Sequence, residues 1–169
     1  MIIKYSNFLE EDLFQECLEY SKAVLRNKVN LVNHADAYKG SVDFKIYPIL
    51  LHKIETTNKD LSDKISSYIK EKLSVSDHEV IPNIYYFTPG SYIAWHTDNH
   101  LHATVTNYLV EDWDINNGGL FLFKENDEIK GIPPERNLAV FQTEASPHAV
   151  SPLTPNSPFR VAIHSFILK

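Results

Sequence analysis

The chain has 169 residues, a formal net charge of −6, 43% hydrophobic residues and 12% aromatics. That suits one domain, 1–169, with enough apolar side chain to bury a core. The acidic balance, with no basic run and no aromatic RNA-binding motif, argues against a nucleic-acid partner. No apolar run approaches the ~20 residues of a membrane span, so no membrane partner is expected. The lone cysteine, Cys17, rules out an intramolecular disulfide. With no basic segment leading an apolar one after Met1, these features fit a reducing, cytoplasmic setting.

Residues Ile2 to Tyr5 read as a short strand. Ser6 and Asn7 can cap the helix that follows. There Leu9, Leu13, Phe14, Cys17, Leu18, Ser21 and Leu25 recur at helical spacing behind a first turn rich in acids. Cys17 reads as a buried thiol on that face. Leu31 to Phe44 has no period and contains Gly40, as a loop would. The irregular stretch Asn27 to Phe44 is a candidate lid or substrate loop. Tyr47-Pro48-Ile49-Leu50-Leu51 opens a second helix with Pro48 in its first turn. A third helix spans about Leu61 to Leu73, with Leu61, Ile65, Tyr68, Ile69 and Leu73 on one side.

From Glu79 the texture changes to short runs of Val, Ile, Tyr, Phe and Thr separated by Pro, Gly and Asn. Expected strands are Val80 to Phe87, Tyr92 to His96, Ala103 to Leu109, Leu120 to Phe123, Leu138 to Phe141, Ala149 to Val150, and Phe159 to Leu168. Turn signals lie at Thr88-Pro89-Gly90, Asn116-Asn117-Gly118-Gly119, Gly131-Ile132-Pro133-Pro134 and Thr154-Pro155-Asn156. Gly118 and Gly119 suit a tight connection. The pattern predicts an α+β fold, mainly β: residues 1–78 as a mostly helical buttress, and 79–169 as a jelly-roll or barrel core.

The residues that carry chemistry lie in this second part. His96 and Asp98 are two apart, so a strand sends both to one face. His148 must come from a separate strand, and Arg160 follows it. Two imidazoles and one carboxylate on one side of a metal leave positions open, as in non-haem Fe(II) oxygenases. An arginine fork suits a carboxylate co-substrate. Taken alone, His-x-Asp in a chain with eight histidines reads more simply as a strand end with a local His–Asp hydrogen bond.

The wider order of motifs decides between these readings. The chain shows Tyr86-Phe87-Thr88-Pro89-Gly90, His96-Thr97-Asp98, Tyr108-Leu109, Gly118-Gly119-Leu120-Phe121, Pro133-Pro134, Ala139-Val140-Phe141, His148-Ala149-Val150 and Arg160-Val161-Ala162-Ile163. Over about residues 80 to 169 it resembles the iron(II)- and 2-oxoglutarate-dependent dioxygenases, in particular their prolyl-4-hydroxylase-like branch. The resemblance implies a double-stranded β-helix core with His96, Asp98 and His148 as ligands of Fe(II). It implies that Arg160 and Tyr108 hold the distal carboxylate of 2-oxoglutarate. Tyr86 is the first candidate for a pocket tyrosine, with Tyr85 and Tyr92 competing.

The implied reaction consumes dioxygen and 2-oxoglutarate, releases succinate and carbon dioxide, and hydroxylates an aliphatic C–H bond. Ascorbate is admitted as a reductant. The implied substrates are a prolyl residue of a peptide or protein, or a free amino acid. An aspartate ligand, where halogenating relatives leave the position to a halide, favours hydroxylation. Asn137 stands where relatives often have glycine, and the interval from His148 to Arg160 is long. His100, His102 and His164 lie close to the motifs, as pocket residues or as ordinary loop and core histidines. Trp95, Tyr92 and Trp113 are candidates for apolar walls, a role that core packing would equally explain. The competing reading is a non-catalytic or cupin-like metal-binding barrel. That reading calls for a glutamate ligand that does not follow at a fitting distance, and it leaves Arg160 idle.

Overall fold

The computed structural model describes residues 1–33, 49–143 and 146–169. Its strands are β1 (Ile2–Tyr5), β2 (Val32–Asn33), β3 (Ile49–Lys53), β4 (Val80–Phe87), β5 (Ile93–His96), β6 (Leu101–Tyr108), β7 (Phe121–Glu125), β8 (Glu128–Ile132), β9 (Ala139–Gln142), β10 (His148–Val150) and β11 (Arg160–Leu168). Among the described residues, two α-helices, α1 (Glu11–Asn27) and α2 (Lys59–Leu73), precede β4. The larger sheet runs β1-β9-β6-β11-β4-β3-β2 and the smaller β5-β10-β7-β8. All the pairings among these described strands are antiparallel. This is the mainly β, jelly-roll type of core that the turn and strand pattern predicts.

The long central strand β11 shows how the sheet is divided. Val161, Ile163 and Ile167 join the cluster under the helices, while Arg160, Ala162, His164 and Phe166 line a cleft on the other side. The same alternation splits β4: Ile84 and Tyr86 face the helices, Tyr85 and Phe87 the cleft. Against the helix side pack Phe14, Cys17 and Leu18 of α1 and Leu61, Ile65 and Ile69 of α2. Burial pushes the pKa of the Cys17 thiol up to about 12, so it behaves as a small apolar side chain.

Both helices stop in the same way. Lys28 and Ser74 adopt left-handed backbone with φ of 52° and 55°, and their N–H groups return to the last-turn carbonyls. The Asn58 side chain caps α2 by accepting from Leu61 N at 3.1 Å. The cap expected at Ser6 and Asn7 does not form: Glu10 is the first flanking residue of α1, and its side chain makes no capping bond. Ser6 and Asn7 lie in the turn before it, where Asn7 has φ 48°.

Three further expectations are corrected. The second helix is absent at Ile49 to Leu51, which belong to β3, with Ile49 and Leu51 buried beside Tyr85 and Phe87. A short apolar run fits either period, and pairing along β4 decides it. Tyr47 and Pro48 lie outside the described residues, as does most of the stretch from Asn27 to Phe44 read as a lid. Residues 1–78 are also more than a helical buttress, because β1 extends the large sheet beside β9, and β3 and β2 extend it beyond β4. Strand β8 has no counterpart in the sequence reading. It is exposed apart from Ile132 and is joined to β7 by Asn126 and Asp127, whose φ values of 52° and 63° make a tight hairpin turn.

Asn137 explains its own departure from glycine. Its φ of 52° is a backbone state that asparagine tolerates better than most residues. The amide then accepts from Leu9 N at 3.0 Å and donates to Leu9 O at 2.8 Å, tying the segment before α1 to the sheet.

Candidate active site

Between the sheets lies a cleft of about 480 Å³. Its candidate metal-binding end is built by one strand pairing, for β5 and β10 run antiparallel with His96 directly opposite His148 and ring centroids 4.1 Å apart. Asp98 follows just beyond the end of β5, where Leu101 N donates to the Asp98 carbonyl in a turn. Its Oδ2 stands 3.5 Å from His148 Nε2 and its Oδ1 3.9 Å from His96 Nε2. All three candidate ligand atoms fall within 4.8 Å of one another.

These distances argue against a local His–Asp hydrogen bond, which would close to roughly 3 Å. The other ring nitrogens are already committed. His96 Nδ1 donates to Ala94 O at 2.9 Å, and His148 Nδ1 donates to Ser146 O at 3.0 Å with the Gln142 side-chain amide also 3.1 Å away. Both bonds leave an Nε2 lone pair for a cation, which fixes ring tautomer and orientation together. Phe121 stacks on the His148 ring at 5.4 Å. Burial first, and then the adjacent His96, hold the His148 pKa below the ordinary imidazole value, despite the opposing pull of Ser146 O and Asp98. His148 therefore stays neutral and able to coordinate.

At the other end Arg160 is only 1% exposed. Its Nη2 donates to Tyr108 Oη at 3.3 Å, and its guanidinium lies 4.3 Å from the Phe87 ring centroid and 4.9 Å from that of Tyr108. Nε and Nη1 are buried with no hydrogen-bond partner. A buried cation with idle donors is costly unless an anion meets it, and a carboxylate fits the open fork. Gly119 makes room for this arginine, since a Cβ there would come within 2.9 Å of Arg160 Cδ. Gly118 is constrained by Pro152 O, which a Cβ would approach to 2.2 Å. The metal-type cluster and the waiting cation thus share one cleft.

Tyr108 sits where the resemblance implies, fully buried beside Arg160. Tyr86 does not. It points to the helix side, donates from Oη to Ser21 O at 2.8 Å and is fully buried in the core, because β4 alternation sends it away from the cleft. Tyr85 lines the cleft in its place. Tyr92 and the two tryptophans are not among the described residues lining it. Trp95 is 40% exposed with the Lys124 ammonium over its ring, and Trp113 donates its indole N–H to Gly118 O at 3.1 Å. Tyr85, Phe87, Phe121 and Phe166 supply the aromatic walls. Of the three neighbouring histidines, His100 and His164 line the cleft, whereas His102 stacks on His78 at 3.8 Å. Thr106 and Phe166 are among the lining residues that the sequence reading did not single out. For Phe166 the signal was present, since counting in twos from Arg160 along β11 reaches His164 and then Phe166.

With both ends of the cleft in view, the class of protein can be stated. Residues 82–168 match the model of the 2OG-Fe(II) oxygenase superfamily, and the chain belongs to that family. It is accordingly a 2-oxoglutarate-dependent oxygenase. No curated protein sequence matches the chain significantly. Among solved structures it resembles a Pseudomonas putida prolyl-4-hydroxylase, with TM-score 0.79 and 17% identity over 99% of this chain and 92% of that one. It is equally similar to a Trichoplax adhaerens prolyl hydroxylase bound to a peptide of the hypoxia inducible factor oxygen degradation domain, with TM-score 0.79 and 17% identity, covering 99% of this chain and 83% of that one. The α-ketoglutarate-dependent epimerase SnoN of nogalamycin biosynthesis follows, with TM-score 0.74 and 11% identity over 99% of this chain and 77% of that one. At these identities the likeness is one of fold.

Proposed function

We propose that the protein hydroxylates an aliphatic C–H bond, releasing succinate and carbon dioxide, with His96, Asp98 and His148 holding Fe(II) and Arg160 gripping 2-oxoglutarate. The observation that carries this reading is Arg160, a buried guanidinium with two idle donors in the same cleft as three converging ligand atoms. The donor set fits iron, because one carboxylate and two neutral imidazoles on one side leave the remaining positions open. When bound, iron and 2-oxoglutarate together supply the oxidising power, through decarboxylation of the keto acid by dioxygen. Ascorbate enters this scheme only as a reductant that keeps the iron ferrous.

The chain's own residues supply order. Ala94 O and Ser146 O fix the two rings with Nε2 inward. Tyr108 and Phe87 steady the Arg160 fork, the first by a hydrogen bond and both by their rings. The apolar walls exclude water and strengthen each charge interaction inside. The substrate proposed is a prolyl residue of a peptide or a free amino acid. The first is supported by the prolyl hydroxylases among the similar folds, and the second by a cleft of modest volume.

The test is anaerobic addition of Fe(II) and then 2-oxoglutarate to the purified protein, followed by visible spectroscopy. A charge-transfer band that needs both components and is lost in His148→Ala is the expected result. Iron bound without such a band would return the protein to the non-catalytic, cupin-like reading.

A further inference from the structure

The two candidate histidine ligands are oriented by the same device, a bond from Nδ1 to the carbonyl two residues upstream. The two carbonyls differ in how they are held. Ala94 is part of β5, so its strand places its oxygen. Ser146 lies outside the strands, separated from the start of β10 by Pro147, and is partly exposed. Pro147 fixes its own φ but gives the segment no N–H with which to tie itself down. A carbonyl that sets a metal ligand needs a firmer hold, and the other sheet supplies it.

Gln142 ends β9 in the large sheet, in register with Ile2 of β1 on one side and Thr104 of β6 on the other. Its backbone is therefore fixed from both flanks. Alternation along β9 sends Ala139 and Phe141 under the helices, and Val140 and Gln142 the other way. The buried Gln142 amide donates from Nε2 to Ser146 O at 3.0 Å, and the same nitrogen lies 3.1 Å from His148 Nδ1. With the 3.0 Å bond from Nδ1 to Ser146 O, the three atoms close a triangle. One proton placement satisfies it best. With the ring proton on Nδ1, amide and imidazole both donate to Ser146 O, whose two lone pairs can take both. With the proton on Nε2, a bare Nδ1 would face that oxygen lone pair to lone pair, and one amide N–H would be divided between them. The first arrangement turns the Nε2 lone pair towards Asp98, 3.5 Å away.

Resting on the dioxygenase reading above for the presence of the ion, we propose that Gln142 is a positioning residue for the metal. It pins Ser146 O, which holds the His148 ring in place with its proton on Nδ1 and its Nε2 lone pair towards the ion. The bonds run from the large sheet, through a loop carbonyl, to a ligand on the small sheet. A ligand already in the right tautomer and rotamer takes less of the ion's binding energy to order. For His96 the strand itself does this work, since Ala94 lies two positions back in β5. Gln142 acts through His148, so its effect falls on metal affinity and reaches turnover through the fraction of protein loaded.

The test compares the full chain with its Gln142→Met variant, which keeps the side-chain length and removes the amide. Mn(II) is the probe, because the paramagnetic resonance signal of the free ion reports the unbound fraction. The variant should bind Mn(II) roughly 10-fold more weakly, the lower end of what outer partners of metal-bound histidines contribute. Nitrogen-15 histidine spectra of the metal-free chain at about pH 8, where imidazoles are neutral, supply a readout that looser packing would not move. Wild-type His148 should carry its proton on Nδ1, and Gln142→Met should show a mixture of both tautomers. Phe141→Leu, on the helix face of the same strand, should lower stability while leaving Mn(II) affinity and the tautomer as they were. Mn(II) binding by Gln142→Met that equals or exceeds wild type, an unchanged tautomer, or an equal loss in Phe141→Leu overturns this proposal alone. Failure of the wild type to bind Mn(II) overturns the dioxygenase reading and this one together.

Discussion

Adjacent tyrosines on β4 face opposite sides of one sheet and live in different chemistries. Tyr86 is sealed under the helices with its hydroxyl spent on the Ser21 carbonyl, and burial raises its pKa. Tyr85 lies against an open cleft beside His164. The helix side is a packed apolar layer with few polar groups, and the Tyr86 hydroxyl among them is satisfied within the core. The cleft side keeps a buried arginine with idle donors and imidazoles aimed at one another. Such groups are unfavourable for folding and persist where something else is meant to satisfy them. One face holds the sheet together, and the other keeps its polar groups in reserve for ligands.

Substitutions on the two faces should therefore separate stability from activity. The largest effect belongs to the metal cluster: Asp98→Ala or His148→Ala should reduce iron-dependent 2-oxoglutarate consumption to background in a succinate assay, while circular dichroism stays native. Arg160→Ala should weaken 2-oxoglutarate on the order of 100-fold or more in calorimetric titration, as expected for losing a buried charge pair, yet leave iron binding intact. Unchanged affinity would mean that a different residue grips the co-substrate. On the opposite face, Ile163→Ala should cost about 3 kcal/mol in urea unfolding, by opening a cavity under the helices, with little change in 2-oxoglutarate affinity. Tyr86→Phe should cost about 1 kcal/mol and leave turnover as it was. A large loss of activity in that variant would return Tyr86 to the site.

The smallest effect is one of pH. His52 is fully buried on β3, where Nε2 meets Tyr20 Oη and Thr57 Oγ1, both at 2.9 Å, and Nδ1 donates to Val29 O at 3.1 Å. Burial holds its pKa below the ordinary imidazole value, so the unfolded chain takes up the proton more readily. The stability it lends is present above that ordinary value and is lost as pH falls through the lowered one. In the metal-free protein His148 adds in the same direction. Urea midpoints should fall between about pH 7.5 and about pH 5.5, and His52→Gln should flatten the decline.

Much of this division was legible in advance. Period two along Arg160 to Leu168 and Val80 to Phe87 marks both strands, and the spacing of His96, Asp98 and His148 marks the metal end. Tyr86 was misjudged because a two-residue period gives two faces without saying which is the cleft. A slip of one position, from Tyr85 to Tyr86, crosses the whole sheet. β3 was misread because Ile49 to Leu51 is too short for either period to show, and its pairing with β4 lies about 35 residues away, beyond any local signal. β8 was missed because nearly all of it faces solvent and carries charges, leaving only the Asn126-Asp127 turn to announce it. Thr106 had no signal of its own, since its place in the cleft depends on pairing with His164 across two strands.

The pairing of His96 with His148 has a mechanical side. β5 is a four-residue strand at the border of the small sheet, and β10 is the strand it pairs with there. An ion shared by the two rings and Asp98 would fasten that border strand by a bond bridging two points far apart along the chain. Like a disulfide closing a long loop, it would remove freedom chiefly from the opened state. The turn from Thr97 to His100 would then resist proteolysis with the ion present and yield to it after chelation, so a protease ladder becomes a gauge of how much of the protein in a cell extract is charged with metal.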